Sequence, residues 1–167
     1  MDPDVFNLAL LAARTALGVM LFYHGARQVI SIDGTARWFD SMGMRPSRLN
    51  AWLATLTEIG AGILLAVGLL STFAALAFVS LMLVAAVTAH WNNGFWIVND
   101  GWEYVFIVAV FATVVAMLGP GEWSVDDAIG IADDLDGWPG LLIAGVGGVV
   151  AAIGQMAVFY RPGSVDD

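Results

Sequence analysis

Cysteine and lysine are both absent from the 167 residues. Without a thiol the chain can form no disulfide, no thiolate metal site and no redox couple of its own. Without lysine, its six arginines stand against 15 acids and the net charge is −9. That balance argues against a nucleic acid or an anionic lipid surface as the main partner. An acid-rich, lysine-free mix is expected of a GC-rich genome or a salty habitat. The start MDPDVF is acidic where a cleaved secretory leader is basic, so the first apolar run is expected to stay as a span. No cofactor motif is visible, so redox chemistry would need a partner, and catalysis by the chain alone is not expected. There is no visible inverted repeat or broken helix of the kind that builds solute transporters.

What the chain has in abundance is apolar length. It is 59% hydrophobic, with mean hydropathy +0.80, far above an ordinary soluble domain. Crossing roughly 30 Å of hydrocarbon takes about 20 helical residues. Five runs approach that length, at about 7–29, 52–70, 72–90, 102–119 and 138–160. The fold class expected is an all-α integral membrane protein, a four-helix bundle with a fifth transmembrane helix. Residues 1–130 form the bundle and 131–167 the added helix and tail. Arg27, Arg37, Arg45, Arg48 and Arg161 fall on one side of such a topology, and the acidic 119–137 loop on the other. Basic loops stay in the cytoplasm. A prokaryotic cell membrane is the expected location, with the N-terminus outside and the C-terminus inside.

Charge inside a span costs about 2.5–3.5 kcal/mol on insertion scales, so each instance asks for a reason. Arg14, His24, Glu58, His90 and Glu103 are the instances. At about 1.5 Å per residue, His24 lies roughly 9 Å to the cytoplasmic side of mid-span and Glu58 roughly 4–5 Å to the same side. His90 and Glu103 stand at the cytoplasmic span ends, and Arg14 is set roughly 6 Å the other way. The expectation is one polar pocket in the cytoplasmic leaflet, with Arg14 reaching toward Glu58. A structural Arg14–Glu58 pair is the plainer alternative. Two His at different depths are a poor match to haem b.

The stretch HWNNGFWIVNDGWEY (90–104) then reads as a lid, through Trp91, Phe95, Trp96 and Trp102. Interfacial anchoring explains the same rings. In GPGEWSVDDAIG (119–130), Gly119 and Pro120 end a span and Ser124 with Asp127 suits a helix N-cap. Asp126 reads as a solvated loop carboxylate, outside any calcium-loop pattern. Gly140, Ala144, Gly148 and Ala152 form a ridge of small residues at spacing four. Such a ridge lets another helix come close, from this bundle or, slightly better, from a protein partner or another copy.

These segments together resemble the DoxX family of small membrane proteins. The carriers are RTALGVMLFYHGARQ (14–28), TEIGAGILLAVGLLS (57–71), HWNNGFW…GWEY (90–104) and GPGEWSVD (119–126), four ordered motifs across about two-thirds of the chain. The resemblance picks out Arg14, His24, Glu58, His90, Glu103 and Asp126. It implies a four-helix unit associated with quinone-linked oxidoreductases, thiosulfate:quinone systems among them, and with membrane redox assemblies. The polar pocket would then bind a quinone head group or relay its protons. The chain departs from the pattern in two ways. Gln28 stands where the family usually has a basic residue, with Arg27 one place earlier, and the fifth span is additional.

Overall fold

The computed structural model describes residues 2–132 and 134–162. Its first helix, α1 (Pro3–Ile30), starts where Asp2 accepts a hydrogen bond from the Asp4 N–H at 2.9 Å, with Pro3 in the first turn. After one turn residue the chain enters α2 (Ile32–Ser41). This stretch lies outside the five apolar runs and is too short to span. Its logic is amphipathic: Ile32, Ala36 and Phe39 recur at helical spacing and face Met44, Ala51 and Ala54 of the core. Asp33, Arg37 and Asp40 are exposed.

The long helix α3 (Ser47–Val67) runs back antiparallel to α1. Their contact is set by glycine. A Cβ on Gly18 would fall 2.5 Å from the Gly62 carbonyl and 2.7 Å from the Ala66 nitrogen, and one on Gly25 would fall 2.9 Å from the Thr55 carbonyl. Lipid tails give helices no hydrophobic reason to associate, so this backbone approach holds the pair by van der Waals packing. It also fixes the register, with Arg14 level with Ala66 and Gln28 level with Thr55. Gly68 ends α3 at φ +72, and the Leu69 N–H reaches the Leu64 carbonyl at 2.9 Å, a Schellman closure that glycine allows without strain.

Three further apolar helices complete the molecule. These are α4 (Ser71–Asn93), α5 (Glu103–Leu118) and, after the short α6 (Val125–Ala128), α7 (Gly137–Phe159). Among the described residues, four helices are long and apolar enough to cross a membrane; α5, with 16 residues, is a shorter apolar helix. The 90–102 loop delays its start, and Gly119 with Pro120 ends it. The protein is therefore an all-α, multi-pass membrane protein, as expected.

The core runs between α1, α3, α4 and α5 through Leu17, Leu21, Leu65, Phe78, Ala112 and Val115. The fifth long helix α7 lies against α4 and α5. Here the small-residue ridge finds its use within the bundle, the first of the two readings it allowed. Ala144 and Ala152 are 0% and 1% exposed, inside this chain's own core. A Cβ on Gly148 would fall 2.6 Å from Val79 Cγ1, and one on Gly140 would collide with the Ala116 carbonyl. The ridge is filled by α4 and α5. Beyond α7 the chain is stitched back to the α2–α3 loop, where Arg45 N–H donates to Phe159 O at 2.8 Å and Arg161 N–H to Gly43 O at 2.7 Å. That gathers Arg27, Arg37, Arg45, Arg48 and Arg161 at one end of the bundle. The tail after Pro162 lies outside the described residues.

Candidate functional site

The five ionisable groups expected to share one pocket occupy three separate stations. Arg14 belongs to the first, at the acidic end. It is 1% exposed, and its guanidinium donates to Ala66 O at 2.6 Å and to Trp123 O. The expected reach to Glu58 fails for a geometric reason. Side chains on a helix lean toward its N-terminus, so Arg14 extends toward the end of α3 rather than its middle. Ala66 is eight residues past Glu58, about 12 Å along the helix. The guanidinium is held by one carbonyl at the α3 C-terminus, where the helix dipole favours a cation, and one from the 119–124 loop.

Asp126 completes this station and corrects the picture of a solvated loop acid. It is 3% exposed. Its carboxylate accepts from Leu70 N–H at 2.7 Å and Ser71 N–H at 2.9 Å, while its own N–H donates to Gly68 O at 2.8 Å. It therefore caps α4 across 55 residues of sequence and lies in Coulombic reach of Arg14. Ser124 accepts from Asp127 N–H at 3.1 Å as the expected N-cap of α6. Asn7 ties α1 to the same loop, donating to Glu122 Oε2 at 2.9 Å and accepting from Glu122 N–H at 3.0 Å. These bonds close the ends of α3, α4 and α6 and tie α1 to the 119–124 loop, so the station is architectural.

The second station is the 90–103 loop at the arginine-bearing end. His90 Nδ1 lies 2.7 Å from Asp100 O, and Glu103 Oε2 accepts from Ile97 N–H at 3.0 Å. Trp102 N–H to Gly94 O and Glu103 N–H to Phe95 O close the loop on itself. Its rings pair with each other: Trp91 stacks on Trp102 at 6.1 Å, and Phe95 meets Trp96 at 5.1 Å and Trp102 at 4.8 Å. Trp91 and Trp96 are each 62% exposed. The loop is a self-bonded aromatic cap suited to the membrane interface. His90 and Glu103 are spent on holding it.

Glu58 anchors the third station. It is 9% exposed in α3. Its Oε2 accepts from Gln28 Nε2 at 2.7 Å, and Gln28 Oε1 accepts from Thr55 Oγ1 at 2.7 Å. The register set by Gly25 brings these three groups together. No basic side chain bonds to Glu58 among the described residues; Gln28 takes the place where the resemblance implies a cation. On its other flank Gln28 lines a crevice of about 300 Å³ between α1 and α2, shared with His24, Arg27, Ser31, Thr35 and Trp38. His24 is exposed to it. A buried carboxylic acid thus connects through one amide to an open, basic crevice at the membrane edge.

Of the residues expected to form the site, Glu58 and His24 come to the same region, joined by Gln28. Sequence reading did not assign Gln28 and Thr55 to the site. A signal for them existed: Gly18 and Gly25 are seven apart on one apolar run, and Gly62 with Ala66 four apart on the next. Pairing those small faces sets the register that puts Gln28 on Glu58.

Comparison with known proteins gives two findings. The DoxX family model matches residues 9–91, which cover α1 to α4, and so stations one and three on their helical side. The inner membrane protein YphA of Escherichia coli (strain K12) is 30% identical over 123 residues, 70% of this chain and 87% of that protein. No solved structure matches the chain.

Proposed function

We propose, from the premise that this chain belongs to the DoxX family, that it is an accessory subunit of a redox-linked, quinone-associated assembly in the cell membrane. The redox setting is what the family resemblance implies, and the similarity to an inner membrane protein supports the location. The one observation that carries a role for this chain is Glu58. A carboxyl group held deep in a span by a neutral amide, with no cation bonded to it, is built for gaining and losing a proton more than for bracing helices. Thr55 fixes the orientation of Gln28, which holds Glu58 and also borders the crevice of His24 and Arg27.

The donor set suits a quinone head group. Arg27, His24 and the Ser31 and Thr35 hydroxyls can donate to carbonyl oxygens, and Trp38 offers a ring face. A bound quinone would supply the two-electron, two-proton chemistry, and electrons would come from a partner. This chain's residues would position the carbonyls, and Glu58 through Gln28 would hold a proton in reserve. With the arginine-bearing end in the cytoplasm, that proton would exchange with the cytoplasmic side.

A purely structural subunit is the second reading. Docking of another complex through the fifth helix would use the lipid-facing side of α7, such as Leu142, Val150 and Ile153, because the ridge is already filled. The discriminating experiment isolates the native assembly from membranes in mild detergent and extracts its quinone. On the proposed reading, wild type retains quinone, while Glu58→Gln leaves assembly intact but slows reduction of added quinone. A quinone-free assembly, or full activity in Glu58→Gln, would favour the structural reading.

A further inference from the structure

A second polar opening lies on the opposite flank of α3, facing away from the Glu58 station. It is a crevice of about 210 Å³ between α3, α4 and α7, lined by Leu53, Thr57, Leu76, Ser80, Ala151 and Gln155 among others. Its apolar members are ordinary for a lipid-facing cleft. Its three polar members are not. A hydroxyl in a membrane helix normally turns back to the carbonyl four residues earlier, as Thr88 does to Val84 O at 2.8 Å and Thr113 to Ala109 O at 2.9 Å. Thr57 and Ser80 make no such bond, and the Gln155 amide has no partner either, among the described residues. Ser80 is 8% exposed, the most buried of the three polar residues that line the crevice.

Depth narrows what could satisfy them. Thr57 is the middle residue of α3, Ser80 lies within one turn of the middle of α4, and Gln155 lies about 10 Å past the middle of α7. Bulk water does not reach the hydrocarbon core, and an unsatisfied polar group there costs several kcal/mol. No ionisable side chain lines the crevice, so nothing would compensate a charged head drawn to that depth. A helix of a second copy could meet Gln155 at the rim, but a cylinder about 10 Å across cannot follow the recess to Ser80. The volume is below the roughly 300 Å³ at which whole-ligand pockets begin, so it fits a small head group whose chains stay in the bilayer.

We propose that this crevice binds an uncharged lipid whose head offers carbonyl or hydroxyl oxygens to Ser80, Thr57 and Gln155. The lipid approaches from the membrane, its head bridges the two hydroxyls at the back and the amide at the rim, and its chains lie along α7. This site is separate from the Glu58 station and does not depend on the reading given to it.

The test uses the full chain in phosphatidylethanolamine vesicles doped with a photoactivatable diacylglycerol, its diazirine placed near the glycerol end of one acyl chain. A phosphatidylglycerol bearing the same diazirine serves in parallel. Mass spectrometry of the irradiated protein should place the diacylglycerol adduct on segments 53–57, 76–81 and 151–155, with the phosphatidylglycerol probe at least fivefold weaker there. Ser80→Ala, a small change that packs readily, should lower labelling about fivefold, the equivalent of one hydrogen bond, and Thr57→Val with Gln155→Leu should lower it further. Equal labelling by both probes, or labelling indifferent to Ser80→Ala, would overturn the proposal and leave ordinary lipid contact. Photo-crosslinking of Gln155 segments between two copies in place of lipid adducts would overturn it in favour of a dimer interface.

Discussion

Replacing Asp126 by Ala removes the acceptor for two backbone N–H groups at once. Those of Leu70 and Ser71 approach it at 2.7 and 2.9 Å, where the residue is 3% exposed and water does not substitute. A buried donor left unpaired costs about 1–3 kcal/mol, toward the upper end when the lost acceptor was charged. Two such losses come to about 3–5 kcal/mol, a large fraction of a typical folding free energy. The same carboxylate holds Leu70 at φ +48, a left-handed conformation that costs a side-chain-bearing residue about 1–2 kcal/mol. Asp126→Ala should therefore unfold at much lower denaturant in mixed micelles of mild detergent and SDS, followed by tryptophan fluorescence. Adding Leu70→Gly should recover about 1 kcal/mol in that background, because glycine adopts this backbone freely. Asp126→Asn, which keeps one acceptor oxygen, should fall between. An Asp126→Ala protein within 1 kcal/mol of wild type, or further loss on adding Leu70→Gly, would refute the account of the α3–α4 turn.

Other consequences follow from the packing. Gly148→Leu drives a side chain into Val79 and should cost about 1–3 kcal/mol as overpacking, measurable in the same unfolding assay; Leu142→Ala on the exposed face of α7 should change stability far less. Phe39→Ala should cost about 3–5 kcal/mol and release α2, seen as rapid tryptic cutting at Arg37. Glu103→Ala should speed amide exchange at Ile97, whose N–H it accepts, while leaving quinone-linked activity unchanged. Orientation can be read with introduced thiols, since the chain has no cysteine: Ser41→Cys should react with an impermeant maleimide only after cells are opened, and Asp134→Cys in intact cells.

The spans were legible because each is one long apolar run, and Gly119, Pro120 and Ser124 marked where the fourth ends. The ten-residue α2 was not, because its three inward residues fall within a stretch too short and too polar to stand out. Of the expected polar site, only Glu58 and His24 come to one region. Depth along separate helices placed His24, Glu58, His90 and Glu103 in one leaflet and left Arg14 to reach across to them, but depth carries no information about which way a side chain points. Arg14 leans toward its own helix N-terminus, and His90 and Glu103 are claimed by backbone groups of one loop. Asp126 was misjudged for a related reason. Its partners, Leu70 and Ser71, are backbone N–H groups, which leave no trace in sequence. The small residues of the α7 ridge mark a packing face in sequence, but not that α4 and α5 are the helices that fill it.

The claim on which the functional account rests is that Glu58 gains and loses a proton in step with electron delivery to quinone. The most direct measurement is proton uptake by the assembly in proteoliposomes during quinone reduction, comparing wild type with Glu58→Gln and Gln28→Leu. Both variants should assemble normally, yet Glu58→Gln should lose most of the coupled uptake and Gln28→Leu should slow it by about tenfold, the effect of about 1.4 kcal/mol. Unchanged uptake in both, with quinone still reduced at the wild-type rate, would contradict the account and leave Glu58 as a packing residue.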